Sequence, residues 1–112
     1  MKSDRLYLEH ILDSINAIET YIVAGEETFL RERMIQDAVI RNFEIIGEAA
    51  NRLTPELRAT APIPLKRIIA FRNRLIHAYW GVDLFLVWDV VQNELPSLKS
   101  EAERLLRDSN AK

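Results

Sequence analysis

The sequence predicts an all-α chain, an antiparallel bundle of four to five helices in one domain over residues 1–112. Three observations lead there. Apolar residues recur at three- and four-residue steps along most of the chain, and no segment alternates apolar and polar residues as a half-buried strand does. Cap and proline signals at Gly25, Thr54-Pro55, Gly81 and Asp83 divide the chain into pieces of helical length. A hydrophobic content of 48% furnishes a core that buries roughly two-thirds of the unfolded chain's surface, so a domain of this size folds without staples.

Ser3 is placed to cap the first helix, with Asp4 in its first turn, and the row Ile11, Ile15, Ile18, Ile22 carries that helix to near Gly25. Thr28 can cap a second helix, whose positions Leu30, Met34, Ala38, Val39, Phe43, Ile46, Ala50 and Leu53 make a face wide enough for more than one neighbour. Gly47 lies in its middle. A glycine there costs about 1 kcal/mol against alanine, and with its small neighbours it permits another helix to approach closely. Glu48, beside that contact, is either a solvated helix residue or the partner of a buried arginine. Thr54-Pro55 opens a short helical turn, and Ala61-Pro62-Ile63-Pro64 is expected to run extended before a helix that begins near Leu65, with Pro64 as its first residue. Gly81 is placed to end that helix. Asp83 can cap the next, which carries Leu84, Val87, Trp88, Val91 and Leu95, and Pro96 stops or kinks it. Leu98, Leu105 and Leu106 support one more short helix, frayed from Asp108 onward.

The net charge of −2 conceals a segregation. From Arg58 to Val82 the chain carries Arg58, Lys66, Arg67, Arg72 and Arg74 with no acidic residue, a local charge of +5 set against −7 elsewhere. Such a run is either a solvated helix face or a focused anion site on an acidic body. The absence of cysteine excludes disulfides, thiolate metal sites and cysteine nucleophiles, and fits a reducing compartment. The charged start Met1-Lys2-Ser3-Asp4-Arg5 is unlike a signal peptide, and no apolar run approaches the ~20 residues that span a bilayer. The expectation is a cytoplasmic protein without a membrane partner.

Chemistry concentrates in Arg72-Asn73-Arg74-Leu75-Ile76-His77-Ala78-Tyr79. At about 100° per residue, Leu65, Ile68, Ile69, Leu75 and Ile76 fall within roughly 60° of Arg72, so the arginine sits mid-stripe among apolar neighbours. A buried guanidinium is costly unless something pairs with it; a carboxylate such as Glu48, a second subunit or a phosphate would serve. Lys66, Ala70, Asn73 and His77 form a second row on one flank. An imidazole with a reference pKa of about 6.5 suits acid–base work, or else caps a helix end, and Asn73, four residues before His77, can fix its tautomer. His10 reads as a surface or boundary residue. The two histidines show no metal-ligand spacing, and three separated glycines make no phosphate loop, so neither a metal nor a cofactor is expected. Arg72 and His77 lie roughly 140° apart around the helix and about 7.5 Å along it, a poor grip on one phosphate. Two motif helices facing across a two-fold axis would bring Arg72 of one subunit and His77 of the other into a shared cleft.

With Arg72, Asn73, His77 and Tyr79, then Trp80-Gly81-Val82-Asp83, and with Ile46-Gly47-Glu48-Ala49, nearly the whole chain resembles the HEPN-domain toxins of the HepT type. These are small helical proteins encoded beside a minimal nucleotidyltransferase antitoxin, and their signature is an Arg-x4-His-x-Tyr motif. The resemblance implies a HEPN-like homodimer with the motif at its interface, acting as the toxin of a type VII HepT/MntA-like toxin–antitoxin system. It also implies metal-independent endoribonuclease activity on RNA, with Arg72 and His77 catalytic and Asn73 and Glu48 in support. Tyr79 would accept AMP from the nucleotidyltransferase, which silences the toxin and can join it in a larger complex. Without the resemblance Tyr79 reads as a core aromatic. The alternative function is a non-catalytic helical module that binds a nucleotide or partner through Arg72 and His77; a third reading makes Arg72 and Glu48 a purely structural pair.

Overall fold

The computed structural model describes residues 2–78 and 81–110. Among them are seven helices and no strand: α1 (Lys2–Tyr21), α2 (Glu26–Arg31), α3 (Arg33–Arg52), α4 (Pro55–Arg58), α5 (Pro62–His77), α6 (Leu84–Asn93) and α7 (Leu95–Asn110). The all-α expectation stands, while four to five counts only the longer helices, since α2 and α4 are pieces of six and four residues.

On α1, Leu8, Ile11, Ile15 and Ile18 share a stripe and are fully buried. The helix already includes Ser3, which therefore caps nothing, and it ends at Tyr21 rather than near Gly25. Gly25 instead opens α2 at φ 92°, a left-handed conformation that glycine adopts without a Cβ clash. Thr28 lies inside α2. The expected second helix breaks at Glu32, where the backbone turns extended. The break lets Phe29 enter the core against Trp88, ring centroids 5.3 Å apart, while the Gln36 side-chain amide donates to the Phe29 carbonyl at 2.9 Å. It also resets the helical phase, so Met34, assigned to the buried face, is 85% exposed.

Helix α3 packs against α1 on one side and α5 on the other, and α7 packs against α1. Polar clamps fix the directions. Buried Asp4, in the first turn of α1, accepts from the Thr54 backbone N–H (2.9 Å) and hydroxyl (2.7 Å) just past the end of α3. Lys99, early in α7, donates to Glu19 near the end of α1 at 2.9 Å. Both pairs of helices are thus antiparallel. The molecule measures 45 × 27 × 19 Å, and the shortest dimension is about two helix diameters, so one apolar layer between two helical layers forms the core.

The proline-rich connection is not extended. Pro62-Ile63-Pro64 makes the first turn of α5, where a proline's missing N–H has no helical acceptor to lose. By the same logic Pro96 stands in the first turn of α7 and does not end α6; Glu94 does. The short tail helix becomes sixteen residues and keeps Asp108 helical, because Leu95, Leu98, Ala102 and Leu105 bury one continuous stripe. Thr54 and Asp83 cap α4 and α6 as their sequence positions predict.

Candidate active site

Helix α5 displays the motif. Leu65, Ile68, Phe71 and Leu75 are buried, which leaves Lys66, Ala70, Asn73 and His77 as an exposed row on the far flank. Phe71 meets Phe43 of α3 edge-on at 5.1 Å and sets the rotation of α5. Arg72 is consequently directed along the α3 seam rather than into the core centre, with 26% of its side chain exposed. His77 is the last helical residue, and the next N–H, of Ala78, closes the helix on the Arg74 carbonyl at 3.0 Å. The helix thus ends before Gly81. Tyr79 lies outside the described residues.

Gly47 decides how closely α3 and α5 meet. A Cβ built there would collide with Arg72 Cβ, come within 2.6 Å of Arg72 Cγ, and stand 3.3 Å from the Ile68 carbonyl oxygen. The missing side chain is the space that the root of Arg72 occupies. Glu48, one residue on, therefore meets the guanidinium: Arg72 Nη2 donates to Glu48 Oε2 at 2.7 Å, and Arg52 Nε donates to Glu48 Oε1 at 3.0 Å. Glu48 is a bridge between two arginines, not a merely solvated residue. The Arg52 guanidinium is held above its usual pKa, first by the Glu48 hydrogen bond and then by the Tyr7 hydroxyl.

Asn73 serves Arg72. Its Oδ1 accepts from Arg72 Nη1 at 3.0 Å, and no Asn73–His77 hydrogen bond occurs among the described residues, so the expected tautomer-setting contact is not made in one chain. Both terminal nitrogens of Arg72 are thus tethered with one hydrogen each to spare. Its Nε is buried and has no hydrogen-bond partner among the described residues, an unmet donor of the kind that costs about 1–3 kcal/mol. The cleft at Arg72 is lined by Tyr7, His10, Arg41, Glu44, Ile45, Glu48, Ala49, Arg52 and Ile76; His77, on the other flank, is not part of it. Of the five basic residues between Arg58 and Val82, Arg72 pairs with Glu48 and Arg67 with Glu94 at 3.3 Å. No group of three or more histidine, aspartate or glutamate residues able to hold a metal occurs among the described residues, and no helix there is long and apolar enough to cross a membrane.

The model of the family described as Ribonuclease HepT-like matches residues 11–105, a span that holds Gly47, Glu48, Arg72, Asn73 and His77. The chain belongs to the HepT-like ribonuclease family. A Thermococcus cleftensis protein named "Probable ribonuclease HepT" is 40% identical over 106 residues, 93% of this chain and 96% of its own. "Putative RNase" is the name of a Caldanaerobacter subterraneus subsp. tengcongensis protein 36% identical over 109 residues, 96% of this chain and 97% of its own. A third relative, from Methanocaldococcus jannaschii, is named as both a gamma-glutamylcyclotransferase and a "putative RNase". It is 43% identical over 109 residues, and the chain spans 49% of its length. No solved structure gives a significant match.

In this HepT-like chain Tyr7, Arg41 and Arg52, which the sequence did not single out, join Arg72 in one cleft together with His10, exposed as its sequence position predicts. Helical spacing puts Arg41, seven residues before Glu48, and Arg52, four after it, on the Glu48 face of α3. Tyr7 and His10 depended on how α1 docks.

Proposed function

We propose that this single HEPN-like domain, residues 1–112, is a metal-independent endoribonuclease that works as a homodimer. The observation that carries the reading is the state of the motif arginine in a chain of the HepT-like ribonuclease family: Arg72 is braced at both terminal nitrogens by Glu48 and Asn73, on the helix that ends with exposed His77. Bracing fixes where the guanidinium points before substrate arrives, which is the condition for stabilising charge that develops later. The ribose 2′-hydroxyl attacks the adjacent phosphorus, a bond to the 5′-oxygen breaks, and the products are a 2′,3′-cyclic phosphate and a free 5′-hydroxyl. His77 moves the protons and Arg72 offsets charge on the phosphoryl oxygens. Arg72 and His77 leave α5 on different flanks, so the dimer supplies one from each subunit.

As a HepT-type toxin the protein would act in the cytoplasm, paired with a minimal nucleotidyltransferase that transfers AMP to Tyr79 in a type VII system. The added phosphodiester would bring one negative charge to the cations meant for RNA. The single-chain Arg72–Glu48–Arg52 network favours a second reading, a structural pair without a ligand. Incubating RNA and chelator with wild type and His77→Ala separates the two. Cleavage should fall by about 10²–10⁴ in the variant with the fold unchanged; wild type that leaves RNA intact points to the structural reading. Intact masses after co-expression with the nucleotidyltransferase test the control step, with Tyr79→Phe expected to stay unmodified.

A further inference from the structure

The cleft beside Arg72 has a chemistry that the motif does not account for. It lies between α1, α3 and α5 with a volume of about 390 Å³, within the range of pockets that enclose small ligands. Its floor is Ile45 and Ala49; its far wall is α1, where Tyr7 and His10 stand edge-on to one another with ring centroids 6.2 Å apart. Along it run three guanidinium groups, Arg41, Arg52 and Arg72, against two carboxylates, Glu44 and Glu48. Arg41 pairs with Glu44 at 3.5 Å and Arg52 with Glu48 at 3.0 Å, but the two arginine side chains are 70% and 57% exposed, and a guanidinium has five N–H donors, so each keeps donors for a ligand. Flat rings beside forked cations form the combination that recognises single-stranded nucleic acid, the rings through stacking and the cations through phosphate.

We infer that this groove is a subsite for the nucleotide beyond the two that flank the scissile phosphate, its base against the Tyr7–His10 rings and its phosphate at Arg41 and Arg52. The inference rests on the ribonuclease reading, because Arg72 is shared: the strand that gives its scissile phosphate to Arg72 continues into the groove. Exposed His10 is then a stacking residue and Arg41 a phosphate contact, both outside the catalytic set. The fit is independent of sequence, since every base has a flat face.

The test uses the full chain and a mixed-sequence single-stranded RNA oligonucleotide made uncleavable by 2′-O-methylation, with affinity read by fluorescence anisotropy across a salt series. His10→Ala should weaken binding by about tenfold, and His10→Phe, which keeps a flat ring, should restore it. Arg41→Gln should lower the slope of log affinity against log salt by about 0.7, the contribution of one phosphate contact on a single strand. With cleavable RNA, His10→Ala and Arg41→Gln should raise KM for the oligonucleotide, keep kcat, and leave cleavage of a dinucleotide unchanged. Affinities, salt slopes and KM equal to wild type in both variants overturn the subsite and leave the ribonuclease reading intact, as does an equal loss on oligonucleotide and dinucleotide. If wild type binds RNA, loses affinity as described in the variants, and yet cleaves nothing, the ribonuclease reading fails and the subsite with it, which leaves the groove an RNA-binding surface only. Protein that neither binds nor cleaves overturns both.

Discussion

Arg72 and Glu48 are in direct contact at 2.7 Å, yet their side chains are 26% and 40% exposed, and a pair so open to water contributes about 0.2–1 kcal/mol. Stability and activity should therefore separate. Arg72→Lys keeps the charge but loses the planar fork that bonds Glu48 and Asn73 and, in the proposed reaction, a phosphate. Its urea midpoint should stay close to wild type while RNA cleavage falls by about 10²-fold or more; full activity in the lysine variant would remove the case for a forked contact. Gly47→Ala should behave differently. Alanine gains about 1 kcal/mol of helix propensity, but the new Cβ meets Arg72 near its own backbone, where no flexible tip can swing aside. Overpacking costs about 1–3 kcal/mol, so the thermal midpoint should drop and cleavage with it. A more stable variant would show that the helices separate easily. The sequence made the close approach at Gly47 legible, and it offered Glu48 as the partner of Arg72. It misassigned Asn73, whose spacing favours His77 but whose amide bonds the arginine beside it: neighbours one residue apart meet here because the long Arg72 side chain bends along the seam.

At the scale of elements, the helices that read correctly are those whose stripe and cap agree, such as α6 with Asp83 or α4 with Thr54-Pro55. The errors share a cause. Proline at a helix start and proline at a helix end carry the same letter, and only the neighbouring core decides between them, so α5 and α7 both begin earlier than their prolines suggested. The break at Glu32 was illegible because it is driven by Phe29 finding Trp88 across the molecule. The joint between α1, α3 and α4 depends on Asp4, a buried carboxylate with two donors from Thr54. Asp4→Ala leaves both donors without that acceptor and should cost about 1.5–3 kcal/mol, the range for hydrogen bonds to a charged group. Asp4→Asn should recover part of it. Equal urea midpoints for all three proteins would show that water replaces the carboxylate at no cost.

For the molecule as a whole, the α5 row and the Arg72 cleft open on different flanks of one helix, and that division is the physical ground for a two-fold dimer. Exposed Ile76 on α5 and Phe85 on α6, 40% and 69% accessible, supply apolar area near the motif for such an interface. Sedimentation at micromolar concentration should give twice the chain mass of 13.0 kDa, and mixing inactive Arg72→Ala with inactive His77→Ala should restore cleavage, because the mixed dimer rebuilds one complete cleft. A monomer, or mixtures that remain dead, would put both groups to work within a single chain. The all-α architecture was legible in the sequence; the way two copies would meet in the proposed dimer is a property of surfaces, which periodicity does not describe.

The empty place at Gly47 also has an evolutionary reading. Because its missing side chain is the seat of Arg72 Cβ and Cγ, the two positions are not free to drift separately. A descendant that gains any side chain at 47 must shift α5 or shed the arginine, and with the arginine goes the motif. Position 47 would then report from sequence alone which relatives can no longer seat the arginine as this chain does.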